Sequence, residues 1–177
     1  MIAMAIHRFN RLLNCNAAAA AAEMALITPL LITLMFGSFE LGNYFLSEHV
    51  VVKAVRDGAR FAARQPFSNF DCSAGTIAQN GVDDLIVKTK NLTRTGQIAD
   101  GGLERLRGWT DPSTVSVTLT CLTISSGNYS GIYKDMTSVP KVKVSAVVPY
   151  NSLFNNLGFT SASLNLVSES EAPVQGI

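Results

Sequence analysis

The sequence predicts an α+β protein, with a long N-terminal membrane-spanning helix and a small head domain holding an antiparallel sheet of about three strands and a packing helix. Two observations support this class. A long apolar run lies near the N-terminus, and three later stretches alternate polar and apolar residues at period two. Such alternation is typical of half-buried strands. At 177 residues the chain fits one domain plus an appendage.

The apolar run is long enough to cross a membrane. From Met24 to Leu46 the only charged residue is Glu40, and about 20 apolar residues cover a hydrocarbon core of about 30 Å. Pro29 lies inside the run and predicts a kink. The alanines precede the apolar core, whereas a cleaved signal peptide carries its small residues after a shorter core. A signal anchor is therefore favoured.

The same helix is predicted to begin near Ala17 and to continue past the membrane to about Arg64, where Pro66 supplies a stop signal. Apolar or small residues recur at helical spacing over 51–62. We call three of them the small-residue strip: Ala54, Gly58 and Ala62. The strip could receive a partner helix, or it could pack on the chain's own head.

The head is predicted to combine one helix with three strands. Apolar residues near helical spacing run from Ile77 to Thr89, with Ser73 as a candidate N-cap. The alternating stretches place strands over 115–121, 141–148 and 161–166. A solvent-exposed face on each strand is typical of an antiparallel sheet.

Two of the three cysteines follow the apolar run. If the run spans a membrane, Cys72 and Cys121 share one side and could pair in an oxidising compartment. Cys121 falls on the apolar face of its strand, which fits a disulfide or a buried thiol. Cys15 precedes the run.

Composition and motifs indicate neither an enzyme nor a nucleic-acid-binding protein. The formal net charge is +1 and no basic cluster stands out. With only two histidines and no Cys/His cluster, a metal site is not expected. The sequence contains no phosphate-binding loop, GxSxG or HExxH motif, so we assign no catalytic residue, cofactor or small-molecule substrate. Asn91 and Asn128 begin sequons of a kind that arises often by chance.

Two stretches resemble the TadE-like family, pseudopilins of the bacterial tight-adherence (Tad, Flp, type IVb) pilus system. They read AAEMALITPLLITLMFGSFELGNYFL and VVVKAVRDGARFAAR. The shared elements are Glu23 with the following Ala-Leu, Pro29, Glu40-Leu-Gly, and the block from Ala54 to Arg60. The closing stretch VKVSAVVPYNSLFNNLGFTSASLNLVSESE is also similar to the end of the family.

The resemblance implies a processing site and a role in assembly. A prepilin peptidase would cut between Ala18 and Ala19 and make Glu23 the fifth residue of the mature chain. The family usually has Gly before the cut and an aromatic residue after the Glu, where this chain has Ala18 and Met24. Glu23 would then pair with the N-terminal ammonium of a neighbouring subunit, which offsets the cost of a carboxylate among lipid tails.

The implied organisation is a cytoplasmic leader (1–18), a transmembrane and extended amphipathic helix (19–65), and a periplasmic α+β head (66–177), in a single-pass protein of the inner membrane. The implied partners are the membrane, other pilins or pseudopilins of the Tad machine, and the prepilin peptidase, with no nucleic acid. The positive-inside rule opposes this orientation, since two arginines precede the span and four cations follow it: Lys53, Arg56, Arg60 and Arg64.

A different class of function is a signal-anchored periplasmic binding domain that an uncleaved helix merely tethers. Assembly predicts that Glu23→Ala or Gly58→Leu abolishes pili while the head still folds, whereas a tether should tolerate both substitutions. An enzyme is a distant third.

Overall fold

The computed structural model describes residues 16–78, 84–124, 131–155 and 164–176. The chain divides into two compact units, Met1–Gly42 and Asn43–Ile177. The predicted α+β class is confirmed, with one long helix, a second helix and antiparallel strands. We call the second unit the head; it includes the last part of the long helix as well as all the strands.

Helix α1 spans Asn16–Ala63, close to the predicted bounds. It is long and apolar enough to cross a membrane, and none of its most apolar window is buried. Three hydroxyl groups in this part donate to the carbonyl oxygen four residues earlier, at 2.6–2.8 Å: those of Thr28, Thr33 and Ser38. Because the helix satisfies these polar groups itself, they add little to the cost of placing it in lipid.

The main sheet is an antiparallel meander in the order β3-β4-β5, with strands at Val115–Thr123, Ser138–Pro149 and Asn165–Pro173. Alternate residues of β4 point into the core: Val142, Val144, Ala146 and Val148. The outer face carries cross-strand ion pairs, Lys143–Glu169 at 2.7 Å and Lys141–Glu171 at 3.5 Å. The predicted strands 115–121 and 141–148 are thus confirmed as parts of β3 and β4.

The third strand differs from the prediction in its bounds. It begins at Asn165 and runs to Pro173, whereas alternation of apolar residues predicted 161–166. Residues 161–163 lie outside the described residues. The extension pairs with the far half of the long strand β4, up to Lys141↔Pro173. Its inward-facing side chains are small serines and an alanine, which give a weak hydrophobic signal.

The second helix, α2, spans Leu85–Thr95, and its predicted start was wrong. Asp84 is the N-cap and accepts a hydrogen bond from the Ile86 amide at 2.8 Å. Ser73, the predicted cap, lies in the turn of a short ribbon that the sequence did not predict, formed by β1 (Phe70–Asp71) and β2 (Thr76–Ile77).

The core of the head lies between the sheet, α2 and the last turns of α1. Among its fully buried residues are Val51 and Val55 of α1, and Val115, Val142 and Leu166 of the sheet. Trp109 is also buried, and its Nε1 donates to Thr114 Oγ1 at 2.7 Å. The last turns of α1 are thus a structural element of the head.

Candidate assembly and anchoring site

The start of α1 brings the predicted processing site and Glu23 onto one helix. The backbone is helical from Asn16 through Ala18 and Ala19. The side chains of Ala19 and Glu23 are exposed, and residues four apart lie on one face of a helix, about 6 Å apart along its axis. Alanines surround Glu23 at 19–22 and 25. Small side chains let a second helix approach closely in a membrane.

The apolar side chains that follow Glu23 are exposed over several turns. They include Met24, Leu26, Leu30, Leu34, Phe39 and Leu41. In water this surface would be unfavourable, since burying apolar area is worth about 25 cal/mol per Å². The helix therefore has the surface of a single-pass membrane anchor.

The small-residue strip lies inside the head. Ala54 and Ala62 are completely buried and Gly58 is buried. A Cβ atom on Gly58 would overlap Thr93 Oγ1 of α2 and would lie 3.6 Å from Thr89 Cγ2. Gly58 thus packs on the chain's own helix α2, and the whole strip is buried in the head, the alternative that the sequence analysis left open. Because a larger side chain has no room at this position, we expect Gly58→Leu to disturb the folding of the head as well as any assembly.

Two threonines of α2 make this close approach possible. Thr89 and Thr93 are fully buried, and their hydroxyls donate to Leu85 O and Thr89 O, both at 2.7 Å. The buried hydroxyls therefore have their hydrogen-bond acceptors within α2 and need no acceptor on α1. No pattern in the sequence near Gly58 signals this contact, since its partner lies 35 residues further along the chain.

An ion pair fixes the exposed edge of this helix pair. Arg105 Nη1 donates to Asp57 Oδ2 at 2.7 Å, and the Arg105 amide donates to Arg94 O, near the end of α2, at 2.8 Å. The segment after α2 therefore bridges the two helices.

A disulfide joins Cys72 to Cys121 in the structure, with the Cα atoms 5.7 Å apart. It links the β1–β2 turn to β3. Cys121 is half-buried on the inward-facing side of its strand, as the alternation of β3 indicated.

The Asn91 sequon has a structural role. Asn91 is buried, and its amide nitrogen donates to Asp100 Oδ1 at 2.7 Å and to Ile98 O at 3.3 Å. An amide that is used in this way cannot receive a glycan while the head is folded. Asn128 lies outside the described residues.

The head also contains a cleft of 440 Å³ that the sequence did not indicate. Its lining includes Asn43, Ser47, Arg107 and Asn151. Asn43 Nδ2 donates to Tyr150 Oη at 2.9 Å, and Asn151 Nδ2 donates to Arg107 O at 2.8 Å. Within the described ranges, no group of three or more His, Cys, Asp or Glu residues is placed to hold a metal ion.

Comparison with known proteins supports the resemblance drawn from the sequence. Residues 18–60 match the family model described as TadE-like protein, so the resemblance is confirmed over the segment that holds Ala19, Glu23 and Gly58. The match covers 43 of the 177 residues, and the TadE-like family implies a component associated with the Tad pilus. No curated protein and no solved structure matches the chain.

Proposed function

We propose that this chain is a non-enzymatic pseudopilin, or minor pilin-like component, that acts in assembly of a Tad pilus by helix–helix packing. The observation that carries the proposal is the position of Glu23 within the segment that matches the TadE-like family. Glu23 stands at the start of a long exposed apolar helix and among alanines. A tether alone does not require a carboxylate at that place.

Processing would give Glu23 its partner. Cleavage between Ala18 and Ala19 frees an ammonium group on Ala19, four residues before Glu23. In a bundle of parallel helices the ammonium of one subunit can meet the carboxylate of the next. An ion pair of this kind offsets the desolvation of both charges and fixes the register between subunits.

The proposed orientation places the N-terminus in the cytoplasm and the head in the periplasm. The Cys72–Cys121 disulfide supports this orientation, because disulfides persist in oxidising compartments such as the periplasm. The opposing charge count carries less weight. Its four cations lie in or directly after the part of α1 that belongs to the head, and long loops and domains are translocated largely regardless of their charge.

The intact mass of the full chain, extracted from membranes with and without the cognate prepilin peptidase, tests the proposal. We expect loss of residues 1–18 only when the peptidase is present. Ala18→Gly is the matched control, because it restores the residue that the family usually has before the cut and should give the same product. A mass that is unchanged in both samples, for this variant as well, would contradict the proposal.

Alkylation before and after reduction extends the same measurement to the cysteines. A periplasmic head should add two alkyl groups on reduction, one each at Cys72 and Cys121. Equal alkylation in both samples would remove the main support for this orientation.

The second candidate function is a signal-anchored periplasmic binding domain. The cleft lined by Asn43, Arg107 and Asn151 is the observation that favours it. If the mass is unchanged and Glu23→Ala has no effect on pili, the binding-domain function is favoured over the pseudopilin function.

A further inference from the structure

We propose that the loop after β4, residues 150–155, lies in the headgroup layer of the membrane and makes a second contact between the head and the lipid. The inference rests on the proposed membrane span. It adds a lipid-contacting surface to the head, which neither the sequence motifs nor the family match assign.

The length of α1 sets the depth of the first residues of the head. The helix rises about 1.5 Å per residue, so the path from Glu23 to Asn43 covers about 30 Å, the thickness of the hydrocarbon core. A tilted helix would bring Asn43 deeper. The next charged residue after Glu40 is Glu48. Asn43 to Leu46 therefore fall in the headgroup layer.

The loop is fastened to this part of α1. Asn43 Nδ2 donates to Tyr150 Oη at 2.9 Å and to the Asn151 carbonyl oxygen at 3.3 Å. The rings of Tyr44 and Tyr150 stack edge to face with their centroids 5.2 Å apart. The start of the loop thus lies beside the turn of α1 at Asn43 and Tyr44 and shares its depth.

The surface at this depth includes large exposed apolar side chains. Phe45 is 51%, Leu46 69% and Leu153 58% exposed. A membrane interface would take up these side chains favourably, and tyrosine, here the half-buried Tyr44, is enriched at that level.

The polar groups around the loop fit a phospholipid headgroup. The described loop residues include no acidic side chain. Arg107, which is exposed, is held at the loop because its carbonyl oxygen accepts from Asn151 Nδ2 at 2.8 Å. Arg107 also lines the cleft together with Asn43 and Leu153, and a guanidinium suits a lipid phosphate, since it binds phosphate oxygens through paired N–H groups.

The test uses an environment-sensitive fluorophore on the full chain in phosphatidylcholine vesicles at low protein density. Cys15→Ser leaves the disulfide cysteines paired, and the fluorophore is attached to Leu153→Cys. Ile132→Cys is the matched control. Ile132 is similarly exposed, at 54%, but it lies in the β3–β4 connection. The 12-residue strand β4 separates the two loops, by about 40 Å at about 3.3 Å per residue.

We expect quenching by doxyl-labelled lipid to be at least about twofold stronger at position 153 than at position 132, with iodide showing the reverse order. Equal quenching by iodide at both positions would overturn the inference. Protection at 153 from both quenchers would also overturn it, since it would indicate a protein partner instead.

A third label separates this inference from the proposed span. Met35 is 49% exposed in the apolar part of α1, so Met35→Cys should be quenched by doxyl-labelled lipid if the helix crosses the bilayer. Lipid quenching at 35 without quenching at 153 would contradict the loop contact alone. Absence of lipid quenching at both positions would contradict the span as well.

Discussion

Gly58 decides how closely the two helices of the head approach each other. A methyl group there would overlap Thr93 Oγ1, which is held by its bond to Thr89 O. We expect Gly58→Ala to lower the free energy of unfolding of the head by about 1–3 kcal/mol, the usual cost of overpacking. Denaturant unfolding in detergent, followed by the fluorescence of Trp109, measures it, because Trp109 is the single tryptophan and is buried.

Two further variants make this prediction specific to the contact. Thr93→Ala removes the atom that Gly58→Ala would meet, so the double variant should be more stable than the sum of the two single effects by about 1 kcal/mol. Gly42→Ala is the control, because no atom lies within 4 Å of its added Cβ. If the changes in unfolding free energy of Gly58→Ala and Thr93→Ala simply add in the double variant, the cost of Gly58→Ala does not arise from the contact with Thr93.

Asp71 and Asp111 make the head sensitive to acid. Hydrogen bonds from the hydroxyl and amide of Ser73 and from the Ala74 amide lower the pKa of Asp71 below its ordinary 3.8. Hydrogen bonds from Ser113 likewise lower the pKa of Asp111. A depressed carboxyl pKa stabilises the fold above the unfolded value, and this contribution is lost as the pH falls through the folded one.

We therefore expect the denaturation midpoint of the head to decrease as the pH falls from 5 towards 2. Ser73→Ala and Ser113→Ala should each raise the pKa of the neighbouring carboxyl, as followed by the NMR titration of its side-chain carbon. Each variant should also reduce the decrease of the denaturation midpoint at acid pH. An unchanged titration in these variants would refute the assignment of the shift to the serines.

Helix α2 begins at a side-chain N-cap. The Asp84 carboxylate accepts the Ile86 amide at 2.8 Å, so Asp84→Ala should destabilise the head by about 1 kcal/mol and speed amide exchange in the first turn. Asp84→Asn should retain most of the stability, because asparagine caps equally well. If both substitutions cost the same, the charge of Asp84 would matter rather than its hydrogen bond.

The elements that the sequence predicted well are those with a long, regular pattern. Helix α1 has an apolar run that continues into an amphipathic face, and β3 and β4 alternate over most of their length. The ribbon β1–β2 has only two residues in each strand, too few for any period. The start of α2 was misplaced because Ile77, which belongs to β2, happens to fall at helical spacing from Leu85.

The candidate site likewise has one part that the sequence predicts and another part that it does not. Glu23 and the alanines before it form a local pattern, so the sequence alone indicates them. The close approach at Gly58 involves Thr93, and the start of the loop after β4 is tied to α1 by a hydrogen bond between Asn43 and Tyr150. These contacts join residues that are remote in sequence, and hydrophobic periodicity carries no information about such pairs.

Glu23 is the residue at which anchoring and assembly can be separated in the full chain. Glu23 is exposed and lies outside the head. Glu23→Ala should therefore leave membrane insertion and the unfolding of the head unchanged, while pili and crosslinks to neighbouring pilus proteins are lost. Glu23→Asp is the matched variant, because it keeps the carboxylate one methylene shorter and should recover part of the assembly.

Glu48→Ala serves as the control in this experiment, because it removes a carboxylate from the same helix within the head and should leave pili intact. Pili are counted by electron microscopy, and crosslinking follows the purification of equal amounts of each variant from membranes. Normal pilus numbers with Glu23→Ala would show that the carboxylate has no part in assembly. Loss of pili with Glu48→Ala as well would mean that assembly is sensitive to charge along α1 in general, and the specific pairing of Glu23 with a neighbouring N-terminus would then be wrong.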